Sequence, residues 1–381
     1  MKRQLIAISR AGLNAYYQLC CSTISRRDEV LFLSRQADNP SYDFKALAKE
    51  FENHGWKTHM HLKKVSKRNF PSYFGHVMRE IELIARCRII ILDRYDPIIS
   101  LLDFSYAPQS EQLAAHDGSL HTEFPIEPIV FQIWHAFGAF KKFGYQSIGT
   151  REGHSHEVID TFNIHRNYSL IACSSKGCRD AFAEAFSYPT DRVIPLNRPE
   201  YNELLALCNR QEEENGPGKH RPTILFAPTL RKSKNSPHPF RDLYEQREKK
   251  LAGLGADIIW SFHPLEDDLP APGNVSEALL KADYVITDYS SLVYEAFLLG
   301  KKVLFYVSDL ERYRKSPGLN ADPAELAPEL CIYDESELLQ ILAELTDTEK
   351  PYPFEELACF AHDAFEEDTM DMCEFIANCL S

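Results

Sequence analysis

The sequence carries no excess of positive charge. Its 42 Lys and Arg against 56 Asp and Glu leave a formal net charge of −14, which argues against a general nucleic-acid binder. No apolar run approaches the roughly 18 residues that a membrane-spanning helix needs. Near the start, Leu5-Ile6-Ala7-Ile8 is followed at once by Ser9 and Arg10, too short a stretch for the apolar core of a secretory signal. Ten cysteines are present, but none falls in a CxxC or Cys/His metal spacing. Without export they are expected to be reduced thiols in a cytoplasmic protein. Internal repeats, low-complexity tracts, a Walker-type glycine loop and a carboxylate cluster suited to Mg²⁺ are also missing. What is there is a chain of 381 residues, 44% hydrophobic and 26% charged. That is ordinary for a globular protein and, at roughly 150 residues per domain, enough for two domains with sizeable cores.

Short apolar runs alternate with helical patterns. Residues 29–34 and 87–92 read as buried strands, the latter with Ile89-Ile90-Ile91-Leu92 at its centre. Between them, Phe44, Leu47, Ala48 and Phe51 recur at helical spacing, and Gly55 follows as a stop. Residues 56–60 could be a strand and 78–85 a helix, with further strands expected at 129–133 and 169–173. Residues 209–222 contain no apolar side chain but two Gly and two Pro, the composition of a solvated loop or linker. The rhythm then restarts, with strands expected at 223–228, 256–262, 284–287 and 302–307. The helices between them are expected at 240–254, 276–281 and 291–299. This is βαβ order, hence an α/β fold with parallel sheets covered by helices. Two such domains joined near residue 200 would leave a cleft for a ligand.

The densest chemical signal is Thr287-Asp288-Tyr289-Ser290-Ser291 followed by Glu295. Serine at a helix start is most simply a cap. At the carboxyl end of a parallel strand, however, hydroxyls and free N–H groups also suit a phosphate, and Glu295, about a turn further on, could reach a ribose. His263, placed before Pro264 at another strand end, is held to extended backbone; the plainer alternative is a surface histidine at a turn. A third strand end brings Thr229, Arg231, Lys232 and Ser233, and Arg suits bidentate phosphate binding. Together the three ends suggest a nucleotide-diphosphate site in which cationic side chains and helix dipoles neutralise the phosphates.

In the first half, Trp134-His135 follows a strand and precedes Gly138, Lys141 and Lys142. A lone histidine is usually structural, but His135 stands where a general base would face a cleft. His154, His156 and His165 lack an acidic or cysteine partner at metal spacing, so no metal site is expected there. Lys63, Lys64, Lys67 and Arg68 lie among Phe70, Tyr73 and Phe74. This stretch is either a solvated loop or a docking patch for an anionic lipid or a phosphate-bearing acceptor.

These motifs together resemble the CDP-glycerol glycerophosphotransferase family of teichoic acid and capsule synthesis. The strongest part is Ile286-Thr287-Asp288-Tyr289-Ser290-Ser291 with Phe305-Tyr306-Val307-Ser308-Asp309-Leu310-Glu311-Arg312-Tyr313. Ala227-Pro228-Thr229-Leu230-Arg231, Phe262-His263-Pro264, Trp134-His135-Ala136-Phe137-Gly138 and Asp38-Asn39-Pro40 are similar to further family elements. The resemblance implies a GT-B fold of two Rossmann-like domains: an acceptor-binding domain at 1–200 and a CDP-donor-binding domain at 201–381, with the active site in the cleft between them. It implies that an acceptor hydroxyl attacks the polyol-bearing phosphate of CDP-glycerol or CDP-ribitol and releases CMP. His135 would be the base. His263, Thr229, Arg231, Ser290 and Ser291 would hold the diphosphate, Asp288 would belong to the same donor site, and Glu295 would approach the ribose. Lys63, Lys64, Lys67, Arg68 and Lys141 are expected at the acceptor or the membrane. The implied partners are a lipid-linked glycan acceptor and the inner face of the cell membrane, contacted peripherally, with no nucleic acid and no cofactor beyond the CDP-linked substrate.

Three departures bear on specificity. Ala136 stands where the family has its first Gly, with Ala139-Phe140 in place of a Thr-Pro; Leu196-Asn197-Arg198-Pro199-Glu200-Tyr201 is only loosely similar to the family's GxPRxD turn; and Arg314-Lys315-Ser316-Pro317-Gly318-Leu319 is not the family's aromatic loop. The length fits primase-like members, which add one unit. Two other readings stay open. One is a sugar transferase using a CMP- or other nucleotide-linked donor, whose acidic base would have to be sought at Asp117-Gly118. The other is a non-catalytic nucleotide-binding GT-B protein, which the substitution at Ala136 favours.

Overall fold

In the computed structural model of the chain, residues 2–64, 70–104, 127–150, 153–214, 221–231, 238–263, 266, 269, 275–345, 351–366 and 368–380 are described. They form two units. The first comprises α1 (Lys2–Thr23), β1 (Arg27–Ser34), α2 (Tyr42–Asn53), β2 (Lys57–Leu62), α3 (Phe70–Arg86), β3 (Cys87–Leu92), α4 (Pro97–Leu101), β4 (Ile129–Gln132), α5 (His156–Phe162), β5 (Leu170–Cys173), α6 (Arg179–Phe186) and β6 (Val193–Pro195), with a C-terminal helix (Met372–Leu380). Its six strands run parallel in the order β2-β1-β3-β4-β5-β6. Helices pack on β1, so Val30, Leu31, Phe32 and Leu33 are all buried, which is why the run is continuously apolar rather than alternating. Phe32 meets Phe44 and Phe51 of α2 at ring-centroid distances of 5.1 and 6.4 Å. Each fully buried ring of this kind contributes on the order of 1.5–3 kcal/mol. A charge at Phe32 would undo that packing. Ser41 caps α2 by accepting from Phe44 N, and Gly55, at φ +80°, takes the left-handed turn that ends it.

The second unit holds most of α7 (Pro199–Glu214), then β7 (Thr223–Phe226), α8 (Pro239–Glu245), α9 (Arg247–Lys250), β8 (Asp257–Trp260), α10 (Val275–Lys281), β9 (Tyr284–Thr287), α11 (Leu292–Leu298), β10 (Lys302–Tyr306), α12 (Leu310–Lys315), α13 (Pro323–Leu326), β11 (Cys331–Ile332), α14 (Glu335–Glu344) and α15 (Phe354–Ala361). The sheet is again parallel, ordered β11-β10-β9-β7-β8. Two parallel, helix-covered sheets are the α/β fold of Rossmann-like units that the sequence led us to expect.

Three features differ from the sequence expectation. Residues 2–23 had no assigned element but form α1, which buries Tyr17 and Cys20, three apart, while most of its other side chains stay wet. The linker expected at 209–222 is helical through Glu214. Gln, Glu and Arg are good helix formers, so a lack of apolar residues marks exposure, not the end of a helix. The helix expected at 240–254 is two pieces, α8 and α9, meeting at Gln246.

The division at residue 200 is also crossed twice. Residues 136–154 belong to the second unit and the C-terminal segment from 367 to the first. Local bonds account for both. Lys142 N donates to Gly318 O, and Asn320 N and Ala321 N donate to Phe140 O; Phe137 and Phe140 lie in the second unit's core. Asn197 N donates to Met370 O and Met372 N to Asn197 O, after which Phe375 packs on Phe131 of β4.

Candidate active site

In the second unit the neighbouring strands β10, β9, β7 and β8 end in register: Phe226 pairs with Trp260 on one side and Ile286 on the other, and Phe305 pairs with Thr287. A few residues beyond those pairs the chain reaches Asp309, then Asp288 with Ser290 and Ser291, then Thr229 with Arg231, then His263. The parallel sheet thus gathers on one edge the residues that the sequence spreads over eighty positions. Carboxyl ends of parallel strands are where α/β proteins place ligands.

Ser290 and Ser291 are half-buried at the start of α11. Ser290 Oγ accepts from Leu292 N at 3.4 Å, whereas Ser291, the capping residue by position, makes no side-chain cap. His263 is half-buried, and its backbone N–H donates to Glu266 Oε2 at 3.3 Å. Glu266 also binds the His238 ring at 2.8 Å, which anchors the turn that carries His263. Thr229 is buried, and its Oγ1 has no hydrogen-bond partner. Glu295 is half-buried on α11.

Arg231 and Asp288 have a role that the sequence did not disclose. Asp288, 1% exposed, accepts at Oδ1 from Thr229 N at 2.8 Å and Tyr289 N at 2.7 Å, and at Oδ2 from Arg231 at 2.8 Å. The Arg231 guanidinium also reaches Asp309 at 3.3 Å and lies over the Tyr289 and Tyr313 rings, which stack on each other at 3.7 Å. Tyr289 Oη donates to Asp309 at 3.0 Å. Burial opposes the Arg231 charge, but the two carboxylates outweigh it and hold its pKa up. The Asp288 acceptors are engaged inside the protein, and Arg231 uses Nη2 to tie the β7, β9 and β10 ends together, while its Nε and Nη1 are buried with no hydrogen-bond partner. This also explains why the two motifs occur in one chain, since Asp309 and Tyr313 of the second complete a cage begun by Asp288 and Tyr289 of the first.

In the first unit, His135 lies three residues beyond the end of β4, the neighbour of β3. Trp134 adopts φ +58°, a costly conformation for a non-glycine residue, held by its N–H to Gln132 Oε1 (2.9 Å) and by edge contact with Phe186. The turn points the His135 ring back so that Nδ1 faces the Asp93 carbonyl at 3.3 Å. A carbonyl only accepts, so Nδ1 is a nitrogen that carries a proton, and in the neutral ring Nε2 is then the basic nitrogen, the form a general base needs. Gly138, at φ +59°, belongs to the second unit; a Cβ there would come within 2.6 Å of the Tyr294 ring, which is why glycine occupies that place in the motif.

The remaining candidates are dispersed. Lys63 N donates to Ser34 O and Lys64 N to Asp38 Oδ1, just past β2, with Lys64 exposed; Lys67 and Arg68 lie outside the described residues. Phe74, on α3, is 64% exposed. Lys141, expected at the acceptor or the membrane, lies in the second unit, bridged to Leu319. His165 is buried and bonded to Tyr168 Oη at 3.1 Å, while His154 and His156 are exposed. Asp117-Gly118, the site of the acidic-base alternative, lies outside the described residues. Sequence reading missed Ser34, Asp93 and Arg94 at the first unit's edge; their only signal is the position of Asp93 and Arg94 directly after the apolar run of β3. No described helix is long and apolar enough to cross a membrane.

A model of the family described as CDP-Glycerol:Poly(glycerophosphate) glycerophosphotransferase matches residues 15–367. The chain belongs to this family of phosphotransferases. It is 25% identical over 339 residues to the teichoic acid ribitol-phosphate primase of Bacillus spizizenii, covering 83% of this chain and 82% of that protein. It is 28% identical over 315 residues to the teichoic acid ribitol-phosphate polymerase TarK of Staphylococcus aureus, covering 76% of this chain but 57% of the polymerase. Among solved structures, the wall teichoic acid polymerase TagF superposes with a TM-score of 0.65 at 15% identity, covering 100% of this chain and 97% of that one. The shared fold is the GT-B class implied by the resemblance.

Proposed function

We propose that this chain transfers glycerol phosphate or ribitol phosphate from a CDP-linked donor to a hydroxyl of a teichoic acid or capsule acceptor. The observation that carries the reading is the edge of the second unit's sheet, where His263, Thr229, Ser290 and Ser291 converge in a chain of this family. Ser290, Ser291 and Thr229 supply hydroxyls to the diphosphate, and His263 supplies a ring donor to the departing CMP. The acceptor oxygen attacks the polyol-bearing phosphorus, a new P–O bond forms, the bond to the bridging oxygen breaks, and CMP leaves with the electron pair. His135 Nε2 takes the acceptor proton. Positioning and charge stabilisation supply most of such a reaction. Arg231 acts here through the loop it holds.

The acceptor is proposed to be lipid-linked, with Lys63, Lys64, Lys67 and Arg68 touching anionic headgroups at about 1 kcal/mol each. Reversing these four charges should weaken binding to anionic vesicles; unchanged binding would remove membrane contact from the proposal. The donor is tested by calorimetric titration with CMP, CDP-glycerol, CDP-ribitol and UDP-glucose, alongside His263→Ala. CDP-linked polyols should bind, and His263→Ala should weaken them; absence of any cytidine binding would overturn the donor assignment.

A further inference from the structure

Three arginines stand at or beside the carboxyl edge of the first unit's sheet, and two of them are committed. Arg35 is bonded to Glu80 at 2.8 Å, to Asp96 and to Tyr73. Arg198 is bonded to Asp43 at 2.8 Å and to Glu200. Arg94, just beyond the end of β3, is different. Its nearest carboxylate oxygen, Asp93 Oδ2, lies 4.0 Å from Nε, outside hydrogen-bond reach, and Nε is buried with no hydrogen-bond partner. Asp93 is only half used as well: Oδ2 accepts from Ser34 Oγ at 3.1 Å, while Oδ1 is buried and has no partner. Burial pushes the Asp93 carboxyl up and the Arg94 guanidinium down, the mark of groups taken from water without full compensation.

Both residues adjoin His135. The Asp93 carbonyl orients its ring, and the Arg94 carbonyl accepts from Gln132 Nε2 at 3.1 Å, the same Gln132 whose Oε1 holds the Trp134 turn. A partly desolvated guanidinium whose side chain makes no hydrogen bond to its one neighbouring carboxylate fits a phosphate, which can accept two of its N–H groups at once. A buried carboxylate oxygen fits a hydroxyl donor.

We propose that Arg94 binds a phosphate group of the acceptor beside His135, and that Asp93 Oδ1 accepts from a hydroxyl of the same molecule. The inference rests on the transferase reading for what the ligand is, but not for its chemistry. The phosphate belongs either to a polyol-phosphate terminus or to the diphosphate of a lipid carrier, and the test separates these sources.

The full chain, its Arg94→Gln and Arg94→Lys variants and Asp93→Asn are titrated with glycerol 3-phosphate, glycerol, a short alkyl diphosphate and CDP-glycerol, with melting temperatures as a check on folding. At least one of the two phosphate ligands should bind the unmodified chain, and glycerol should not displace it. Arg94→Gln should weaken that ligand by about 10–100-fold, the effect of losing charge-assisted hydrogen bonds, and Arg94→Lys should restore part of the loss. A loss confined to glycerol 3-phosphate points to a polyol-phosphate terminus, and a loss confined to the alkyl diphosphate points to the carrier. Failure of both ligands to bind, or equal binding by Arg94→Gln, overturns the proposal. Failure of CDP-glycerol alone overturns the transferase reading while leaving phosphate binding at Arg94 standing.

Discussion

At the carboxyl edge of the second unit's sheet, Arg231 is caged by Asp288, Asp309, Tyr289 and Tyr313. Both arginines keep a buried Nε with no hydrogen-bond partner, but at the corresponding edge of the first unit Arg94 has a single carboxylate, at 4.0 Å, where Arg231 has two, at 2.8 and 3.3 Å. Both arginines follow a parallel strand within a few residues, and both would be chosen from sequence as anion ligands. What separates them is the supply of carboxylates from neighbouring strands. A cation whose charge is already offset stabilises the scaffold, whereas one left open can bind a ligand. In the second unit the Ser290, Ser291 and Thr229 hydroxyls and the His263 ring stand around the cage, and these are the groups proposed to meet the donor diphosphate.

The largest effect expected on either side of this comparison is on turnover. His135→Ala should lower kcat by about 10²–10⁴-fold, the range for loss of a general base, with CDP-glycerol affinity unchanged because the residues proposed to bind the donor lie in the other unit. A matching loss of donor affinity in calorimetry would show that His135 is not confined to acceptor activation. Next in size is stability. Arg231→Met strands the buried Asp288 carboxylate and should cost about 3–5 kcal/mol, read as a lowered denaturation midpoint. Arg94→Gln, which breaks no bond, should stay within about 0.5 kcal/mol of the parent. Equal midpoints for the two variants would erase the distinction between a caged arginine and an open one.

The smallest expected effect concerns acid, and it belongs to the first unit, where His61 and His76 stack at 3.8 Å. Burial and then the neighbouring positive groups pull His76 down to about 4, and burial lowers His61 as well. Against an unfolded value near 6.5, the unfolded chain binds protons that the folded one refuses between about pH 6.5 and 4. Stability should therefore fall as pH falls through that window. Denaturation midpoints should decline less steeply with acid in His76→Gln than in the parent; parallel slopes would exclude this pair as the origin of the acid sensitivity.

Strands with four or more consecutive apolar residues were readable directly. β3 coincides with residues 87–92 because its Ile89-Ile90-Ile91-Leu92 core follows Arg88 without interruption and ends fully buried. A run of three sufficed for β9, which coincides with 284–287: Tyr284, Val285 and Ile286 precede Thr287, and all four residues are buried. Helices with exposed surfaces were harder. α1 buries too narrow a stripe to announce itself, and the polar end of α7 looked like a linker because composition reports exposure before it reports backbone conformation. The candidate site was legible as residue types at strand ends: His135, His263, Ser290 and Ser291 were all selected on that ground. Which of those side chains are spoken for was not legible, since the partners lie far apart in sequence, as with Arg231 and Asp309. Asp93 and Arg94 escaped notice for the opposite reason: their significance is that neighbouring strands leave them unfilled.

The sequence by itself determined the parallel α/β class, most of the strands and the family. Each of these rests on local periodicity or short contiguous motifs, which need no knowledge of distant neighbours. Only the tertiary structure decided that residues 136–154 and the C-terminal helix change units, that Arg231 locks the scaffold, and that Arg94 remains open. Those outcomes depend on hydrogen bonds and charges brought together by strand order, and a side chain's function follows from whatever capacity its neighbours leave unused.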